Sequence, residues 1–274
     1  MKKTLLLMFL LVSMGVNAQS ELYDAIKDYV KACPSTIEGM ESIMKPSMTS
    51  LNKKFMENYS DQRSEALIKK YCEGPFIDEM IKNLMIPSAE GIASVSDFQA
   101  LTKAMLTPEG KTFQTHLSMM SATTSKLLEQ KCVDVINMLI EGKTPPAEKI
   151  RQEIPQSYRQ QYYQFYKVAK VDESIVLLIN AIANNMNAPQ KRLIQKYLDY
   201  LYENFRTVNL NRSYDYLTTA DLNFGIENGG LPEYQHVLAI QQKIPEHAQK
   251  AGMIVFISYI EWLNSQGVAL KKQE

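Results

Sequence analysis

SVSDFQALTKAMLTPEGKTFQ, Ser94 to Gln114, contains a helix start, a corner and a second helix start within one short stretch. Ser96-Asp97-Phe98-Gln99 has the form of a capping box, in which a hydroxyl takes a free backbone N–H and a residue three positions on reaches back. In LTPEGK, Leu106 to Lys111, Thr107 can cap, Pro108 suits the first helical position and Glu109 complements the positive end of the helix dipole. The charged pair Glu109 and Lys111 could suggest a reactive loop. The second half of the chain keeps only Leu231-Pro232-Glu233, so the stretch reads as a corner.

The same signals recur outward from it. Ser35-Thr36-Ile37-Glu38 has the capping-box form, and Thr144-Pro145 offers a cap followed by proline. Apolar residues fall at helical spacing nearly everywhere and strand signals are scarce. The expected fold class is all-α, a helical bundle or array of two weakly related halves.

Those halves share anchors in the same order. LIKKY at Leu67–Tyr71 returns as LIQKY at Leu193–Tyr197, Asp97-Phe98 as Asp221-Leu222, and Pro108-Glu109 as Pro232-Glu233. Ile136, Met138, Leu139 and Gly142 fall opposite Ile260, Trp262, Leu263 and Gly267. Together they point to an internal duplication. The expected organisation is a signal peptide over 1–18, a helical repeat over 19–141, a linker or corner over 142–155 and a second repeat over 156–274. GKTPPAEKIRQEIP, Gly142 to Pro155, has three prolines, five charges and almost no apolar periodicity, as a corner would.

Met1-Lys2-Lys3, the apolar run TLLLMFLLVSMGV and small residues at Val16 and Ala18 describe a secretory signal, with cleavage expected after Ala18 and a periplasmic or secreted destination. Without Lys2 and Lys3 the chain carries 28 basic and 30 acidic side chains, a balance that argues against nucleic acid or an anionic membrane as the main partner. The longest later apolar run, Met253 to Leu263, is too short to span a bilayer and contains Glu261.

Catalytic signatures are missing. The sequence has no GxSxG elbow, no SxxK of the penicillin-binding type with SDN and KTG companions, no Walker loop and no HExxH spacing, so no catalytic residue, metal ligand or cofactor is expected. The cysteines, Cys33, Cys72 and Cys132, are odd in number and form no CxxC. Cys72 and Cys132 fall opposite apolar Leu198 and Phe256, as small core hydrophobes would. His116, His236 and His247 are read as surface or packing residues.

The most distinctive local feature is YRQQYYQFY. Tyr158, Tyr162 and Tyr166 recur at i, i+4 and i+8 and stack on one helix face. Such a stripe either docks a helix on its neighbours or binds a glycan or peptide through ring area and hydroxyls, and it is the candidate binding site. The stretch Ser94–Gln114 also resembles a widespread family of exported bacterial helical domains of unknown function. Asp97, Leu101, Thr107, Pro108, Gly110 and Lys111 fit its pattern of an acidic-apolar helix start followed by Pro-x-Gly. Ala104 and Met105 stand where that family has an aromatic pair, and Tyr234 stands where the second copy would have the glycine. The resemblance implies an envelope or secreted helical domain and no known reaction.

The functional expectation is an exported, non-enzymatic binding or interaction protein of the cell envelope. Its partners would be an envelope protein, a glycan or a peptide. A hydrolase working through paired carboxylates, or a lipid-binding helical protein resting on the apolar helix near the C-terminus, are the alternatives.

Overall fold

The structure, a computed structural model, describes residues 10–11, 16–183 and 187–270. Most of the expected signal segment lies outside the described residues. The protein is all-α: it is 78% helical, with 14 helices among the described residues and almost no strand. In chain order they are α1 (Val16–Ala32), α2 (Pro34–Phe55), α3 (Asp61–Cys72), α4 (Pro75–Asn83), α5 (Val95–Met105) and α6 (Pro108–Ile140). There follow α7 (Gln156–Val168), α8 (Val171–Ala183), α9 (Ala188–Lys196), α10 (Leu198–Tyr216), α11 (Thr219–Gly229), α12 (Pro232–Ala239), a 3-10 turn (Ile240–Gln242) and α13 (Ile244–Ser265). Leu10–Leu11 pairs parallel with Met85–Ile86.

Local chemistry sets the helix starts, with some registers shifted from expectation. The box at α5 is built by Ser94, not Ser96: Asp97 N–H donates to Ser94 Oγ, while Ser94 N–H donates to Asp97 Oδ2 at 2.7 Å. A search for Glu or Gln at the third position passes over the Asp that fills it. α11 repeats the device, with Thr218 as cap and Asp221 accepting its backbone N–H at 2.7 Å. At the corner, Thr107 Oγ1 accepts the Gly110 N–H at 3.0 Å, Pro108 opens α6 and Glu109 lies in its first turn. Pro34 opens α2 behind Cys33, so Ser35 lies inside the helix and not at its cap position. Nor does Thr144 start a helix; α7 begins only after Pro155.

Two compact units emerge, Met1–Leu106 with Pro232–Glu274, and Thr107–Leu231. They are a different division of the chain from the sequence halves. In the first unit α1 and α12 pack on α5, α2 packs on α3, and α13 packs on α4. Ile26, Met48, Ile68, Tyr71, Phe76, Phe98 and Val255 are among the residues filling its core. A buried polar link crosses it: Asn52 Nδ2 donates to Ser64 Oγ at 2.9 Å and to the Tyr259 hydroxyl at 2.8 Å. Cys72 is wholly buried in this core and Cys33 is buried too. The side chain of Cys132 lies outside the described residues.

In the second unit α6 packs on α10 and α11, and α7 packs on α11. Phe113, Tyr162, Phe165, Phe205 and Leu222 are in its core. The irregular stretch 142–155 is laced onto α10. The Tyr200 hydroxyl donates to Pro146 O at 2.6 Å, Arg151 N–H donates to Asn211 Oδ1 at 3.1 Å, and Asn211 Nδ2 donates to Lys149 O at 3.0 Å. Side-chain amides thus satisfy the backbone of a proline-rich segment that has no helix to satisfy it.

Candidate functional site

The tyrosine stripe is core. Tyr158, Tyr162 and Tyr166 are 6%, 1% and 2% exposed, so the packing alternative accounts for them and they present no open ring face. Tyr158 meets Tyr214 edge to face at 5.0 Å, and its hydroxyl donates to Leu217 O at 3.1 Å. Burial pushes the Tyr158 hydroxyl up to about 12 and the Tyr162 hydroxyl well above its ordinary value. The i, i+4, i+8 spacing located a helix face correctly; only the fold decides whether that face looks inward or outward.

Two histidines do what no sequence spacing announces. His116 Nδ1 lies 2.8 Å from Asp221 Oδ2 in the second unit, and His236 Nδ1 lies 3.2 Å from Asp97 Oδ1 in the first. Burial alone would raise both carboxyls, yet the cap hydroxyl, the cap backbone N–H and the histidine together hold each below its usual range. A histidine oriented by an aspartate has the base half of a catalytic triad. Here, however, the aspartates already serve helix caps: Asp221 Oδ2 accepts the Thr218 N–H and hydroxyl, each at 2.7 Å, in addition to the imidazole. These pairs act as clamps between helices. His247, on α13, is half-buried.

A different group of side chains converges at one edge of the stripe. Tyr163 and Tyr166 come from α7, Asp172 from the first turn of α8, and Tyr202 and Arg206 from one face of α10. A tight turn brings Asp172 back towards Tyr166, with Lys170 in the left-handed region at φ 49°. The Arg206 guanidinium lies over two rings, 5.1 Å from the Tyr163 centroid and 5.4 Å from that of Tyr166. Burial, then the nearby Asp172 carboxylate, raises the hydroxyls of both Tyr166 and Tyr202.

Within this nest Tyr166 Oη, Asp172 Oδ1 and Arg206 Nε are buried and have no hydrogen-bond partner. Buried polar atoms are satisfied in the great majority of cases, and leaving one unpaired costs about 1–3 kcal/mol. Three such atoms, two donors and one acceptor, lie in this one nest, with the Asp172 carboxylate beside the Tyr166 hydroxyl that it raises. Tyr166 forms the floor, while Tyr163, Asp172, Tyr202 and Arg206 are half-buried at the rim.

Sequence reading singles out the tyrosines Tyr163, Tyr166 and Tyr202 but misses Asp172 and Arg206, because the members of the nest come from three helices. Among the described residues no cluster of three His, Cys, Asp or Glu side chains could hold a metal ion. No described helix is long and apolar enough to cross a membrane. No protein-family model, curated protein or solved structure matches this chain.

Proposed function

We propose that the chain is an exported, non-enzymatic binding protein of the cell envelope, and that the nest around Tyr166 is its ligand site. The observation carrying this reading is the set of three unpartnered buried atoms, Tyr166 Oη, Asp172 Oδ1 and Arg206 Nε. Asp172 and Arg206 bring opposite charges, which suits a neutral ligand offering both donors and acceptors: the hydroxyls of a glycan or the amides of a peptide. The basic N-terminus followed by its apolar run supports export.

The hydrolase alternative needs a carboxylic acid held above its ordinary range. Among the described residues, every carboxyl whose proton affinity departs clearly from that range departs downward, at Asp78, Asp97, Glu153 and Asp221. The lipid-carrier alternative rests on α13, whose Val255, Tyr259 and Leu263 are spent on the core.

Calorimetric titration with N-acetylglucosamine, a neutral probe with both hydroxyls and an amide, tests the proposal beside a blocked dipeptide. Saturable binding of either probe, weakened at least tenfold by Tyr166→Phe and by Asp172→Asn with unchanged circular dichroism, supports it. A wild type that binds neither probe, with a Tyr166→Phe variant that melts higher, overturns it and leaves Tyr166 as a frustrated core residue.

A further inference from the structure

The compact units cut the chain at Leu106/Thr107 and Leu231/Pro232, the two copies of the Leu-(Thr)-Pro-Glu corner. Each unit therefore combines the early helices of one sequence half with the last long arm of the other. α6 belongs to the first half by sequence and packs on α10 and α11 of the second. The α12–α13 arm belongs to the second half and packs on α5 and α4 of the first. The remaining pairings run parallel: α1 packs on α5 as α7 packs on α11.

Details agree at both ends of the arms. Each arm opens on a proline, Pro108 or Pro232, and each closes on a left-handed glycine, Gly142 at φ 71° or Gly267 at φ 69°. At both closures the residue after the glycine donates back to a carbonyl five positions earlier: Lys143 N–H to Met138 O at 2.8 Å, and Val268 N–H to Leu263 O at 3.1 Å. That is the six-to-one bond of a Schellman motif. Each arm also carries a histidine that reaches the capping-box aspartate of the other half, His116 to Asp221 and His236 to Asp97. The arms have diverged within this plan. His236 sits one helical turn nearer its proline than His116 does, and the turn at Ile240–Gln242 breaks the second arm where α6 runs on.

We infer that the two halves are copies of one module that have exchanged their arms, and that the seat on each half is a docking surface for the arm of a second copy. Duplication without exchange would leave each half self-contained. Exchange makes each half incomplete alone, with the other copy as its fitting partner.

A protease site inserted at the exposed Lys143–Thr144 step of the full chain separates the two readings. After cleavage the fragments are expected to elute together as a one-to-one complex and to part only in denaturant. When the denatured mixture is refolded, native mass spectrometry is expected to find homodimers of a fragment beside the heterodimer. Fragments that separate without denaturant while remaining helical overturn the exchange. Refolding to heterodimer alone overturns the equivalence of the copies.

Discussion

His116 Nδ1 and Asp221 Oδ2 stand 2.8 Å apart across 105 residues of chain, and the oxygen they share also closes the helix cap of Thr218. One carboxylate thus fixes a helix start and a helix–helix contact at once, as Asp97 does for Ser94 and His236.

Both aspartates are held below their usual carboxyl range, so their stabilising contribution is complete above about pH 4, the unfolded value. It is lost as pH falls through the lower folded values. Thermal melts from pH 6 to pH 2 should show a fall in Tm on the acid side that is smaller in Asp97→Ala and Asp221→Ala. At pH 6 each variant should be less stable by about 0.5–2 kcal/mol, the range for losing a helix-cap interaction.

Tyr162 is 1% exposed and packs on the rings of Tyr163, Phe165 and Tyr166. Tyr162→Ala should cost roughly 3–5 kcal/mol, as for other large aromatic truncations in a core. Chemical denaturation measures this, and a loss below about 1 kcal/mol, within the range of surface substitutions, would assign the stripe to the surface.

Gly225 is where the Phe165 ring comes down on α11. A Cβ there would stand 2.6 Å from two of its ring carbons, closer than real contacts allow. Gly225→Ala should destabilise by about 1–3 kcal/mol through overpacking, despite alanine's better helix propensity. Adding Phe165→Leu should recover part of that loss, because the obstruction is a side chain; additive penalties in the double variant would contradict the clash.

Lys170 holds a left-handed conformation at φ 49° without being glycine. A side chain in that region costs about 1–2 kcal/mol, so Lys170→Gly should raise stability by up to about 1 kcal/mol after the added freedom of the unfolded chain is subtracted. The Tm of the single variant is the readout, and a fall would mean that the Lys170 side chain has a role beyond its backbone.

Helices and corners were legible wherever the deciding interaction spans three or four residues. Thr107, Pro108 and Glu109 act at the corner as their chemistry dictates. The two-residue slip from Ser96 to Ser94 came from not crediting Asp97 as the reaching partner. The tyrosine stripe shows the opposite limit: spacing defines a face of α7 but carries no information on what covers it. Asp172 and Arg206 had no local signal at all, since a half-buried polar residue reads the same as a solvated one until its neighbours are placed.

By itself the sequence determined the all-α class and some of the helix starts, such as the corner at Thr107 and Pro108, because caps, prolines and apolar periodicity act within a turn or two. Only the tertiary structure decided which helices meet. It put the stripe inside, joined His116 to Asp221 and His236 to Asp97, and brought the buried atoms Tyr166 Oη, Asp172 Oδ1 and Arg206 Nε into one nest. The physical reason is that such pairings depend on where distant segments dock, a collective result of burying apolar area that no local window contains.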